Sequence, residues 1–98
     1  MSRVSVLTLQ VPVDRVDAVV GYYRDARVME VSGAESAQLV VDDAVPGKIV
    51  CFALWTDDDG YARWQRDPRR ASMSQGIADA AGGRIEAVVG DLRVVHSC

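Results

Sequence analysis

Lys48-Ile-Val-Cys-Phe-Ala-Leu-Trp-Thr56 is the stretch on which the fold turns. Side chains alternate across a strand, so Ile49, Cys51, Ala53 and Trp55 share one face while Val50, Phe52 and Leu54 share the other. Both faces are apolar, which predicts a central strand covered on at least one side. Just upstream, the turn formers Asp42, Asp43, Pro46 and Gly47 join this strand to a second one over Ser36 to Asp42, and a hairpin follows. Just downstream, Thr56 is placed to cap a short helix beginning at Asp57, with Tyr61, Trp64 and Gln65 on one side of it. Asp67-Pro68 restarts the helix, because proline suits the first helical position after a capping aspartate. Ala71, Ser74, Ile77, Ala78 and Ala81 would give that helix a face of small residues, and Gly82-Gly83 ends it.

The flanks complete the pattern. Arg3 to Val11 reads as a first strand ended by Pro12, and Asp14 is placed to cap a helix running to about Val28 with Val16, Val19, Val20 and Tyr23 on its inner side. Tyr22 would then point outward. Ser32-Gly33 forms the turn into the second strand, and Arg84 to Val95 reads as the last strand, bent at Gly90-Asp91. Strand, helix, strand, strand, helix, strand most economically makes an α+β ferredoxin-like plait, a four-stranded antiparallel sheet with helices on one face. The Val50, Phe52 and Leu54 face would then meet water in a lone chain, and pairing with a second copy would cover it.

Composition bounds the function. With 98 residues, 49% hydrophobic and 26% charged, the chain is expected to form one domain over residues 1–98 with a single core. Eleven basic against 14 acidic residues leave a net charge of −3, which argues against nucleic acid as a partner. The arginines at 63, 66, 69 and 70 are interleaved with Asp57, Asp58, Asp59 and Asp67 and read as a solvated face of mixed sign. No apolar run approaches the ~20 residues that span a bilayer, and no cleavage signal follows the start, so a cytoplasmic protein without membrane contact is expected. Cys51 and Cys98 have no metal-type spacing and are expected to be reduced thiols. The dinucleotide, P-loop, zincin and nucleophile-elbow motifs are all missing, and the sole histidine, His96, is a poor candidate for a catalytic triad so near the end.

What the residues do offer is a pocket. Trp55 lies on the same side of its strand as Cys51 and Ala53, and small side chains on the facing helix would leave room beneath it. Two tryptophans and three tyrosines supply N–H and O–H groups able to orient a flat aromatic molecule.

Trp55-Thr-Asp-Asp-Asp-Gly-Tyr61-Ala-Arg-Trp64, followed by Asp67-Pro68-Arg69, resembles the hallmark stretch of the antibiotic biosynthesis monooxygenase family, a branch of the dimeric α+β barrel proteins. Ser32-Gly33-Ala34-Glu35-Ser36-Ala37 resembles the Pro-Gly turn before that family's second strand, with Ser32 where proline is usual. The resemblance implies a homodimer of ferredoxin-like chains, a cavity in each chain between sheet and helices, and oxidation of an aromatic anthrone-type substrate by O2 with no metal, flavin or heme. It carries over Trp55 as catalytic, orienting the substrate, and Cys51, Tyr23, Trp64 and Ser74 are the candidates to line the pocket. There are departures. Cys51 stands where quinone-forming members have asparagine, Ser74 falls near the position of their later helical arginine, and Trp64 replaces the histidine common three residues after the aromatic at 61. The implied activity is a small cofactor-independent monooxygenase acting on an aromatic polyketide or quinol-like metabolite. A non-catalytic ligand-binding or pathway-accessory barrel is the alternative, and heme binding or degradation through His96 or Cys98 a third.

Overall fold

The structure, a computed structural model, describes residues 2–98. Its elements are β1 (Arg3–Gln10), a 3-10 turn (Val13–Arg15), α1 (Val16–Asp25), α2 (Val28–Ser32), β2 (Ser36–Val41), β3 (Lys48–Trp55), α3 (Gly60–Arg66), α4 (Pro68–Ala80) and β4 (Glu86–Arg93). The sheet has four strands in the order β2-β3-β1-β4, with all neighbours antiparallel. This is the ferredoxin-like arrangement expected from the element order, and no helix among the described residues is long and apolar enough to cross a membrane.

The register decides which side chains meet. Ser5 lies opposite Ala53, Leu7 opposite Cys51 and Leu9 opposite Ile49, so these six face the helices together with Trp55. Leu9, Ile49, Ala53 and Trp55 are buried there with Val19 and Tyr23 of α1, Val28 of α2, Tyr61 and Trp64 of α3 and Ile77 of α4. Phe52, on the reverse face, is 41% exposed, and Val88 and Leu92 of β4 extend that bare surface at 70% and 53%. Val50 departs from the expected bare trio. Its register neighbours Thr8 and Val40 shield it, leaving it 9% exposed.

Several local expectations are corrected. Asp14 does not cap a helix: it sits inside the 3-10 turn, and no side chain caps α1. The first helix does not run unbroken to Val28, because Arg27 adopts a left-handed conformation (φ 55°, ψ 43°) and splits off the five-residue α2, which Gly33 closes at φ 81°. Thr56 does not cap α3. That helix starts later, at Gly60, after a turn in which Asp57 Oδ1 accepts the Asp59 N–H at 3.0 Å. β4 shows no bend at Gly90-Asp91, and its pairing with β1 runs uninterrupted from Glu86 to Arg93. Tyr22 does not point away from the protein: its ring packs against Gly76 of α4, where a Cβ would overlap it. The Asp67-Pro68 restart holds, with Asp67 Oδ1 accepting the Arg69 N–H at 2.9 Å, and Gly82 and Gly83, at φ 73° and 79°, take the left-handed turn that ends α4.

Candidate functional site

Strand alternation brings Ser5, Leu7, Cys51, Ala53 and Trp55 to the inner face of the sheet, and the helices do not fill all the space above them. A hollow of about 60 Å³ remains, walled by those five together with Tyr23 of α1, Val28, Met29 and Ser32 of α2, Ala37 of β2, Tyr61 and Trp64 of α3 and Arg70 of α4. A second hollow of about 50 Å³ abuts it, sharing Leu7, Tyr23, Val28, Trp64 and Arg70 and adding Met73, Ser74 and Ile77. Outside Trp55 and Trp64 lies an open cleft of about 280 Å³ bounded by the end of α2, the start of α3 and the Asp67–Arg69 pair. An apolar cavity of about 150 Å³ accommodates benzene, so the inner hollow as it stands holds small molecules such as water or O2, and an aromatic ring enters only if a wall moves.

Trp55 is fixed from three directions. Its Nε1–H donates to Ser5 Oγ at 2.9 Å inside the protein, and its ring meets Tyr61 at a centroid distance of 5.5 Å and a tilt of 38°. Gly60 crowds it from the third side, since a Cβ there would stand 3.1 Å from Trp55 Cε3. The indole N–H is thereby committed to Ser5.

Burial sets the state of the polar groups. The Tyr23 hydroxyl titrates well above the ordinary phenol range, because desolvation and the neighbouring Cys51 outweigh the opposing pull of Arg70. Burial likewise pushes the Cys51 thiol and the Tyr61 hydroxyl up. All three are protonated donors at neutral pH. Arg70 reaches the hollows from the first turn of α4 and is half-buried. Of the nearby arginines, Arg63 pairs with Asp57 at 3.0 Å and Arg69 with Asp67 at 2.7 Å, while Arg66 is exposed to water. Among the described residues no carboxylate comes within 4.0 Å of Arg70.

The structure gathers Trp55, Cys51, Tyr23 and Trp64 around the first hollow. Ser74 is absent from its wall and touches only the second, from an exposed position on α4. Of the predicted small-residue face of α4, Ile77 and Ala81 are buried and Ala78 half-buried, whereas Ala71 is exposed as well, and Met73 and Ala80 pack inward in addition. Ser5, Ser32, Met29 and Arg70 escaped the sequence reading. The available signal for Arg70 was its spacing of three and seven from Met73 and Ile77, the large apolar residues of that helix. His96 and Cys98 are exposed in the C-terminal segment and line none of these hollows.

The fold is shared with solved structures of antibiotic biosynthesis monooxygenases. The chain is similar to SnoaB, a cofactor-independent oxygenase from Streptomyces nogalater, at 16% identity over 98% of this chain and 95% of that one, with a TM-score of 0.72. It is also similar to an antibiotic biosynthesis monooxygenase at 18% identity over 98% and 100% of the two chains (TM-score 0.74). A candidate monooxygenase of the same kind from Deinococcus radiodurans matches at 9% identity over 98% and 95% (TM-score 0.80). No family model matches the chain, and no curated protein does.

Proposed function

We propose that this chain is a small oxygenase acting without a bound cofactor, oxidising an aromatic anthrone- or quinol-like molecule with O2 beside Trp55, as a homodimer. The observation that carries this reading is the aromatic-walled hollow between sheet and helices, on a fold shared with an oxygenase described as cofactor-independent.

In this reading the substrate supplies the electrons. Its ionised form passes them to O2, a carbon–oxygen bond forms, and the resulting hydroperoxide loses water to leave a carbonyl. One oxygen atom is retained, and the other departs as water with the two hydrogens of the oxidised methylene. The protein excludes water, holds the ring and stabilises developing charge. Trp55 supports the ring through its face, Cys51 contributes a neutral wall, and the Tyr23 and Tyr61 hydroxyls donate to substrate oxygen. Trp64, Ser74 and Arg70 border the second hollow, which the substrate occupies once the two merge. One wall of the hollow is α2. This five-residue segment, bounded by the left-handed Arg27 and Gly33, carries Val28, Met29 and Ser32 of the wall.

The area of the free chain supports the dimer. It exposes 6181 Å² where a monomer of its mass exposes about 5,500 Å². The excess is close to the ~800 Å² that each partner buries in a standard interface, and the bare face bearing Phe52, Val88 and Leu92 is where a second sheet would pack.

Oxygen uptake with an anthrone tests the activity. Turnover above the buffer rate, lost in Trp55→Phe and unaffected by chelators, is expected; no uptake with any anthrone or quinol overturns it. The commitment of the indole N–H to Ser5 favours one second reading, a binding protein without catalysis, for which an aromatic ligand would bind and O2 uptake would stay at the buffer rate.

A further inference from the structure

The hollow contains a cation and no base. Its lining residues include no histidine and no carboxylate, and its titratable hydroxyls and thiol hold their protons. A neutral molecule that had to ionise there would find nothing to accept its proton. Arg70, in contrast, carries a permanent charge into a wall made largely of Leu7, Tyr23, Val28 and Trp64, with no carboxylate within ion-pair distance. A half-buried guanidinium without a counter-ion is costly, and the neighbouring arginines show that this sequence does not lack acids to pair with. The Asp57 and Asp67 carboxylates go to Arg63 and Arg69, while Asp91, the acid near Tyr61, is held by Arg3 at 2.9 Å. Arg70 meets the Tyr61 hydroxyl and borders both hollows, and no carboxylate neutralises it there.

We propose that the site selects planar aromatic molecules that arrive already ionised, as a carboxylate or an acidic enolate, and seats the oxyanion on the Arg70 guanidinium. The planar fork of the guanidinium matches both oxyanions, and the Tyr23 and Tyr61 hydroxyls line the same hollow. Arg70 is a specificity-determining residue in this account. The inference rests on the proposed site for its location, but it concerns binding and stands or falls without turnover.

Isothermal titration calorimetry on the intact chain tests it with two matched pairs: 2-naphthoate against 2-naphthamide, and 2-hydroxy-1,4-naphthoquinone against its methyl ether. The anion is expected to bind about tenfold or more tightly than its neutral partner, the ratio carried by a charge-assisted hydrogen bond. Arg70→Gln should erase that ratio, Arg70→Lys should keep part of it, and Arg66→Gln, on the exposed side of α3, should leave it unchanged. A preference confined to the naphthoate pair identifies the bound group as a carboxylate, and one confined to the hydroxyquinone pair as an enolate. Equal binding of anion and neutral partner, failure of all four to bind, or a ratio that survives Arg70→Gln overturns the proposal. Circular dichroism and thermal melting establish that each variant is folded, and Arg70→Lys keeps the test decisive if Arg70→Gln is not. Should naphthoate bind through Arg70 while no anthrone consumes O2, the ligand class stands and the oxygenase reading falls.

Discussion

Ser5→Ala removes one oxygen atom and isolates the indole N–H of Trp55. Both residues are buried, at 6% and 4% exposure, and the bond between them measures 2.9 Å. A buried donor stripped of its acceptor costs about 1–3 kcal/mol. For a chain of this size each kcal/mol lowers Tm by roughly 4–8 °C, so a fall of roughly 5–20 °C is expected. Trp55→Phe should cost more, since it also leaves a void and loosens the stacking on Tyr61. Because the Ser5 hydroxyl has no indole to serve in that background, adding Ser5→Ala to Trp55→Phe should cost little. The double-mutant cycle should therefore give a coupling of about 1–3 kcal/mol. Urea unfolding of the four proteins measures this, provided their m-values agree. A Ser5→Ala protein within about 0.5 kcal/mol of wild type, or a strictly additive cycle, would refute the reasoning. It would mean that water in the adjoining hollow satisfies the indole as well as serine does.

Three further outcomes are expected. Gly47 has φ 84° and lies against the Val11 carbonyl, whose residue donates its N–H to Gly47 O at 2.9 Å; Gly47→Ala should cost about 2 kcal/mol or more in chemical denaturation, and an unchanged midpoint contradicts the close approach. A thiol reagent at neutral pH should label the exposed Cys98 rapidly and Cys51 slowly, because burial raises the Cys51 thiol and suppresses its thiolate; comparable rates at the two would contradict this. The hydrogen bond from Arg69 holds the Asp67 carboxyl below the usual carboxylate range, so its contribution is present above the unfolded-state carboxylate range and is lost as pH falls through the lower folded value. Asp67→Asn should therefore flatten the acid limb of the stability curve, read by thermal melts across pH, and an unaltered limb would oppose that assignment.

The legibility of this protein divides by the range of the forces involved. Alternation over Lys48–Trp55, the Asp67-Pro68 cap and the Gly82-Gly83 stop are local signals, and each appears in the structure where the residues place it. The break at Arg27 was not legible, because a non-glycine residue in a left-handed conformation is chosen by what packs on either side of it rather than by its own preference. The same holds for α4. The expected inner side of Ala71, Ser74, Ile77, Ala78 and Ala81 holds at Ile77 and Ala81, but Ala71 and Ser74 are exposed, and Met73 and Arg70 turn inward instead. Of the candidate site, Trp55, Cys51, Tyr23 and Trp64 could be inferred from alternation, helical spacing and resemblance. Ser5 and Arg70 required knowledge of which strand lies beside which and how a helix is turned.

The sequence by itself determined the order of elements, the central strand and the side of it on which Trp55 stands, since side-chain alternation and capping act over a few residues. Only the tertiary structure decided that the indole N–H is taken by Ser5, that Tyr22 packs against Gly76, and that Arg70 meets the hollow without a carboxylate partner. Those outcomes depend on register, helix rotation and competition among neighbouring charges, which are settled when the elements pack together.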